Sequence, residues 1–422
     1  MDKLHQLDRR TLLKSLAFAS ATSACPTAFG EAAFGEAAFG EDASLHQPLP
    51  AWSEGHFDIH HIDTARGNST LLVFPDGTTM LIDAGAVTTA PEGTTNPARP
   101  NGTTLRPGQV LAEYILAHAP EKKLDYFLAT HLHNDHVDGL ADVAAKLPIS
   151  MCIDRAFPHY AANQQPPASA KAYLDFLSRR EDKGEFVIAA NVGATDQITL
   201  RKDAARYKSF NARILAANGN VWNRATGNVD ELLKNIPSAG SAHGYENNYS
   251  IATRFEYGAF SYYTGGDLNF DTFDGHTPAL DTESPVARSC GRVEVAVANH
   301  HGYFDACGAA FTKALDAQAY VIPSWDIGHP GSAQMQRMMG AWDYTNNTPT
   351  HDVFALELLP QNALLNRRFA PKLKSQGGHV VVRVAPGGRT YTIYTLDSTV
   401  EHGNITGVSG PYTSRAAKAG TA

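Results

Sequence analysis

Between residues 57 and 129, apolar and polar positions alternate in short runs broken by Gly, Pro and Asn. Successive strand side chains face opposite ways, so the alternation predicts strands over 57–63, 69–74 and 79–82. The reversals between them, Arg66-Gly67-Asn68 and Pro75-Asp76-Gly77, are built from residues suited to tight turns. Residues 86–108 are rich in Thr, Pro, Asn and Gly and read as a long loop near the strand ends. Val110, Leu111, Tyr114, Ile115 and Leu116 fall at helical spacing and predict a helix over 109–119. A buried strand over 124–129 runs directly into a His-rich stretch, and a short helix over 139–147 follows. Residues 155–240 are less regular, with a helix over 168–180, a strand over 186–190 and polar loops. They read as an insertion able to shape or cover a site.

Regularity returns with a hairpin over 249–264 ending at Gly265-Gly266-Asp267. A strand over 293–299 ends at His300-His301-Gly302, and another covers 319–323. A terminal hairpin joins 379–384 to 390–396 around Pro386-Gly387-Gly388. Strands alternating with helices, with strands at both ends, predict a layered α/β sandwich rather than a helix bundle.

The N-terminal segment has a different logic. Arg9-Arg10, then Leu12, Leu13, Lys14 and an Ala-rich run to Ala24, form a basic region, a short apolar region and small residues. Residues 1–27 therefore read as a signal peptide resembling a twin-arginine (Tat) export signal, which makes the Tat translocase a transient partner and the destination periplasmic or secreted. The run is too short to span a membrane in the mature chain. Cys25 is a candidate lipid acceptor. Residues 28–51 contain a near-repeat of Ala-Phe-Gly-Glu-Ala and read as a linker. The folded domain is expected over 52–400, with 401–422 as a flexible tail.

Composition narrows the chemistry. Apolar residues make up 43% of the 422 residues, enough for a sizeable core. A net charge of −8 argues against a chain that grips nucleic acid through phosphates. Eighteen His against four Cys point to imidazole and carboxylate ligands rather than thiolates. Cys152, Cys290 and Cys307 imply no disulfide framework.

The strongest chemical signal is Thr130-His131-Leu132-His133-Asn134-Asp135-His136. His131 and His133 point the same way if the chain stays extended, while Asp135 and His136 can turn toward a second ion. Such ligands suit zinc or manganese, and two close ions can clamp a phosphoryl or carbonyl oxygen. His60 and His61 alternate faces on a strand and read as structural; His329 and His351 are candidate substrate-side groups.

His-x-His-x-Asp-His resembles the signature of the metallo-β-lactamase superfamily. The chain is also similar to the metallohydrolase domain of ComEC-type competence proteins and its free-standing relatives. The matching segments are 59–63, Pro75-Asp76-Gly77, Leu81-Ile82-Asp83-Ala84-Gly85, Asn247-Asn248-Tyr249-Ser250 (read as a strand start), Gly266-Asp267, His300-His301-Gly302 and His329-Pro330. The resemblance implies an αβ/βα four-layer sandwich. It places His131 and His133 on one metal, Asp135 and His136 on the other, and Asp267 between both. One of His300 and His301 would complete the second site, and the other would contact substrate or donate a proton. Asp83 and Asn247 would support the ligands from behind. Two departures stand out. Glu246-Asn247-Asn248 occupies the stretch that usually supplies a third His to the first site, with His243 a nearby substitute, and Arg66-Gly67-Asn68 stands where the competence relatives have Gln-Gly-Asp.

The expected function is a secreted dinuclear hydrolase using a metal-bound hydroxide, with Asp135, His301 and His329 as catalytic groups and two divalent ions, zinc or manganese. Phosphodiesters are the expected substrates, and the acidic balance favours small or lipid-head-group ones over nucleic acid. The alternatives are an ester or lactone hydrolase of the same fold and a non-catalytic metal-containing binding module.

Overall fold

A computed structural model of the chain describes residues 45–233, 245–271, 278–341 and 348–415. The expected leader, most of the expected linker and His243 lie outside the described residues. β1 (Phe57–His61), β2 (Thr70–Val73) and β3 (Thr79–Ile82) form an antiparallel meander. α1 (Pro107–His118) leads to β4 (Leu124–Leu128), parallel to β3. The single turn α2 (Asn134–Val137) and then α3 (Leu140–Lys146) precede β5 (Ile149–Asp154). α4 (Lys171–Asp182) precedes β6 (Phe186–Ala189), which is parallel to β5.

A second sheet begins with β7 (Phe210–Ala217), β8 (Asn220–Trp222), β9 (Val229–Glu231), β10 (Ala252–Tyr257) and β11 (Phe260–Thr264). α5 (Glu283–Cys290), β12 (Val295–Val297), α6 (Ala309–Leu315), β13 (Ala319–Ile322), α7 (Ser332–Met338) and β14 (Asp352–Ala355) extend it with parallel strands. After α8 (Pro360–Leu365) the chain returns to the first sheet with β15 (His379–Val384), β16 (Thr390–Leu396) and β17 (Ile405–Thr413). The strand orders are β17-β16-β15-β1-β2-β3-β4-β5-β6 and β14-β13-β12-β11-β10-β7-β8-β9.

Side-chain alternation explains the layers. Leu72, Phe74, Met80, Ile82 and Leu128 face inward and pack with Phe255, Phe260, Tyr262, Val295 and Val297 of the other sheet. Their neighbours Leu71, Val73, Leu81 and Phe127 face outward onto Leu111, Ile115, Val143 and Leu177 of the helices. Tyr263, Ala296, Tyr320 and Ile322 pack outward onto Val286, Phe311 and Met335. The result is helix, sheet, sheet, helix, and both sheets are buried on two faces.

Strand direction positions the site. β1, β3 and β4 run the same way, so Asp63, Asp83 and His131 emerge at one edge of the first sheet. β11, β12 and β13 are parallel, so Asp267, His301 and Trp325 emerge together from the second. Ligand sites in open α/β sheets form beyond such carboxyl ends.

Three sequence expectations are corrected. The stretch 155–240 is not a separate insertion over a site, because β6 extends the first sheet and β7 pairs with β10 along six positions. The 401–422 stretch is not wholly a tail, because β17 forms the outer strand of the first sheet. Gly407, Gly410 and Pro411 disguise it, yet an edge strand tolerates Pro because an outward N–H needs no sheet partner. Asn247–Tyr249 form a 3-10 turn ahead of β10 rather than its first residues. No described helix is long and apolar enough to cross a membrane.

Candidate metal centre

β3 ends at Asp83, fully buried in the left-handed region at φ 58°. Its carboxylate accepts the Thr130 backbone N–H at 2.7 Å, the Thr130 hydroxyl at 2.8 Å and the Asn68 amide at 3.1 Å. It also meets His136 Nδ1 at 2.7 Å. Asp83 thus fixes the turn out of β4 and the orientation of the His136 ring, as a carboxylate behind a ligating histidine does. Backbone bonds reinforce the turn: Asn68 N–H to Asp135 O and Ala84 N–H to His136 O, at 2.9 and 2.7 Å. A side chain at Gly85 would overlap Asp135 O, so the turn requires glycine there.

Two groups of potential ligands follow. Asp135, His136, Asp267 and His301 form one; His131, His133 and Asp267 form the other, and ligand atoms within each lie within 4.8 Å of one another. In the first, His301 Nε2 is 3.2 Å from Asp135 Oδ2 and 3.5 Å from Asp267 Oδ2, and His136 Nε2 is 3.2 Å from Asp267 Oδ1. In the second, His131 Nε2 lies 3.0 Å from His133 Nδ1 and 3.6 Å from Asp267 Oδ2. Ligands about 2 Å from a tetrahedral ion lie about 3.4 Å from one another. Nε2 of His136 and of His301 are buried and close to carboxylates, yet not aligned to hydrogen-bond with them. Donors that crowd a point without bonding each other suit a cation there.

The histidine pair separates clearly. His301 Nδ1 bonds Pro323 O at 2.9 Å, which leaves Nε2 facing the two aspartates. His300 Nε2 stands 3.8 Å from Asp267, outside both groups, and its Nδ1 is engaged by Asp305 Oδ1 at 2.7 Å. Both residues sit at positive φ, 44° and 55°. His329 is 5% exposed and stacks on His301 with ring centroids 5.1 Å apart. Asn247 Nδ2 reaches His300 Nε2 at 3.3 Å. Glu246 does not join the ligands. Its Oε1 accepts the Leu132 N–H and Arg155 Nε, both at 2.9 Å, and its Oε2 accepts Arg155 Nη2 at 2.8 Å. Sequence reasoning missed Asp305, Arg155 and this use of Glu246, because nothing in their local spacing sets them apart.

The charges fit a cation site. Burial alone pushes His136 down, but Asp267, Asp83 and Asp135 together hold it well above its ordinary value. Burial likewise opposes the proton on His301, and Asp267 and Asp135 raise that group to about 9. Burial would raise Asp135 and Asp267, but the surrounding imidazoles, His136 first, hold both below the carboxylate range. Burial lowers His131 and His133. Positive charge is therefore favoured between the aspartates, beside neutral imidazoles ready to ligate. His60 and His61 lie elsewhere: His60 bonds the Tyr114 hydroxyl at 3.0 Å beside His118, and His61 packs on Tyr262. His351 bonds Met338 O at 3.1 Å and belongs to neither ligand group.

The model of the metallo-beta-lactamase superfamily matches residues 63–166, the segment that carries Asp83 and the His-rich turn. The chain has the metallo-β-lactamase fold. Among solved structures, it is similar to CmlA, a diiron beta-hydroxylase from Streptomyces venezuelae. That likeness has 13% identity, covers 69% of this chain and 52% of CmlA, and has a TM-score of 0.38. The chain thus spans about half the length of CmlA. Igni18, a metallo hydrolase from Ignicoccus hospitalis, shows 13% identity over 77% of this chain and 98% of its own, with TM-score 0.36. Yeast PDE1 shows 11% identity over 77% of this chain and 99% of its own, with TM-score 0.36. No curated protein matches the chain.

Proposed function

We propose that this chain is a metal-dependent hydrolase acting on phosphodiester bonds, with small or lipid-head-group substrates preferred over nucleic acid. The observation that carries the metal-dependent part of the reading is Asp267, which lies in both ligand groups. A lone structural ion needs no such shared carboxylate. His131, His133 and Asp267 would hold one ion; Asp135, His136, Asp267 and His301 would hold the other. Two divalent ions, zinc or manganese, supply Lewis acidity and activate water when bound.

The chain's own residues do the rest. Asp83 and Pro323 O fix the ring orientations of His136 and His301. Asp305 takes the Nδ1 side of His300 and the Asn247 amide donates to its Nε2, which fixes the ring beside Asp267 where it would contact substrate. His329 stacks on one side of the His301 ring. Arg9-Arg10 supports export as part of this reading, and changing both to Lys should hold the precursor in the cytoplasm.

The test is turnover of bis(p-nitrophenyl) phosphate by protein purified without chelator, with elemental analysis on the same sample. Up to two zinc or manganese ions per chain and loss of activity on chelation are expected. Full activity in metal-free protein, or turnover confined to ester and lactone panels, would overturn the assignment.

A further inference from the structure

Beside the ligand cluster, the loop after β13 carries buried atoms with nothing to bond. Among the described residues, Trp325 Nε1 and His329 Nδ1 have no hydrogen-bond partner, and neither has Arg66 Nε on the first turn. These residues touch. The Arg66 guanidinium lies 4.9 Å from the Trp325 ring centroid, and the Trp325 and His329 rings meet edge to face at 5.0 Å. Both rings contact His301, at 5.5 and 5.1 Å. Buried polar atoms are normally paired, so three orphans on touching residues call for a partner that the described residues do not supply.

Other bonds hold these residues in place. Arg66 Nη1 donates to Thr89 O at 2.6 Å, the Thr95 N–H donates to Trp325 O at 2.9 Å, and the His329 N–H donates to Asp326 O at 3.0 Å. The three residues are therefore held in a fixed frame beside His301.

We propose that Arg66, Trp325 and His329 form an oxyanion subsite that holds a non-bridging oxygen of the substrate phosphodiester beside His301. This rests on the phosphodiester reading above and adds the groups that select for it. Arg Nε and indole Nε1 can only donate, and His329 Nδ1 donates in its Nδ1–H tautomer. A phosphodiester monoanion offers acceptors and a negative charge to the guanidinium, whereas a neutral ester carbonyl offers no charge. Arg66, on the turn between β1 and β2, brings a cation to that position.

The experiment is calorimetric titration of inorganic phosphate into metal-loaded and chelated wild type, Trp325→Phe and Arg66→Gln. Metal content and bis(p-nitrophenyl) phosphate kinetics are measured on the same samples. Trp325→Phe keeps an aromatic side chain, smaller than the indole, and removes the donor, so it decides the matter should Arg66→Gln fail to fold. Both variants should retain the wild-type metal content and bind phosphate about tenfold more weakly, with KM raised about as much and kcat changed less than about threefold. Wild-type phosphate affinity in folded Trp325→Phe overturns the subsite, and so does acetate competing as well as phosphate in the wild type. If the wild type takes up no metal, the dinuclear reading fails. Weakened phosphate binding in the variants would then still support the subsite, and unchanged binding would overturn it.

Discussion

Asp83 gathers four contacts into one carboxylate position, and no shorter or neutral side chain reproduces it. It serves Thr130 twice, Asn68 and His136 from a fully buried site. Asp83→Ala leaves those donors unpaired. It should cost roughly 2–5 kcal/mol of unfolding free energy and about 10–100-fold in metal affinity, most of it at the ion held by His136. Urea unfolding with metal titration checks this, and a variant with wild-type values on both would remove Asp83 from its assigned role. Arg155 and Glu246 make the opposite case. Their side chains are 0% and 5% exposed, and Glu246 also anchors the Leu132 N–H between His131 and His133. Arg155→Met strands a buried carboxylate and should destabilise by about 3–5 kcal/mol. The same unfolding assay should show that Arg155→Met with Glu246→Gln recovers part of the loss; a double variant no better than the single would refute the pairing. The His-rich residues were legible because their spacing is chemical. The choice between His300 and His301 was not, because it depends on which ring Pro323 and which ring Asp305 engages, and both contacts come from the fold.

At the scale of elements, legibility followed periodicity. The strands over 379–384 and 390–396 have the expected bounds; the second alternates buried and half-buried positions, while the first is buried at every position but Arg383. β8 and β9 are three residues long, too short for a period to declare itself, and α5 to α8 have eight residues or fewer. β17 hid behind Gly and Pro. The packing of α1 against β1 and β15 has a consequence in pH. His61 and His379 are buried, and burial lowers each to about 3. His379 Nδ1 accepts the Asp63 N–H at 3.0 Å, which requires the unprotonated ring. His118, on the same helix, is lowered to about 4. In the unfolded chain these groups titrate near the ordinary value of 6.5. Between that value and the folded one, the unfolded state binds more protons. The stability they contribute is therefore complete above about pH 6.5 and is lost as pH falls toward 3. The slope is about 1.4 kcal/mol per pH unit for each of His61 and His379. His379→Asn keeps an acceptor for the Asp63 N–H and removes the titration, so its urea midpoint should fall less steeply than that of the wild type between pH 6.5 and 4. Parallel slopes would show that His379 is not neutral in the fold.

For the whole molecule, the layered architecture was readable from strand and helix order, but the meeting of the two sheet edges was not, because it depends on the direction of strands far apart in the chain. That meeting makes the candidate centre a link between halves. His131, His133, Asp135 and His136 leave the first sheet, while Asp267 and His301 leave the second. Any ion held there ties the sheets to each other as well as serving chemistry. Ions that bind only the folded state stabilise it by mass action, about 4 kcal/mol at a free concentration 1,000 times the dissociation constant. For a fold of this size that corresponds to roughly 5 °C in Tm. Chelation should therefore lower the wild-type Tm by about that much. Asp267→Ala removes the carboxylate common to both groups and leaves the remaining ligands of one ion largely on a single sheet. It should lose both ions and turnover, and its Tm should no longer respond to chelator. His131→Ala should lose mainly the first ion and His136→Ala mainly the second, each keeping part of the thermal response. His60→Ala and His61→Ala, packed away from the cluster, should keep the full metal content and the full response whatever their own stability. Calorimetry with and without chelator, paired with metal stoichiometry, reads all of these together. If folded Asp267→Ala still holds two ions and shows the wild-type chelator shift, then Asp267 is not shared between the sites, and the ions do not link the sheets.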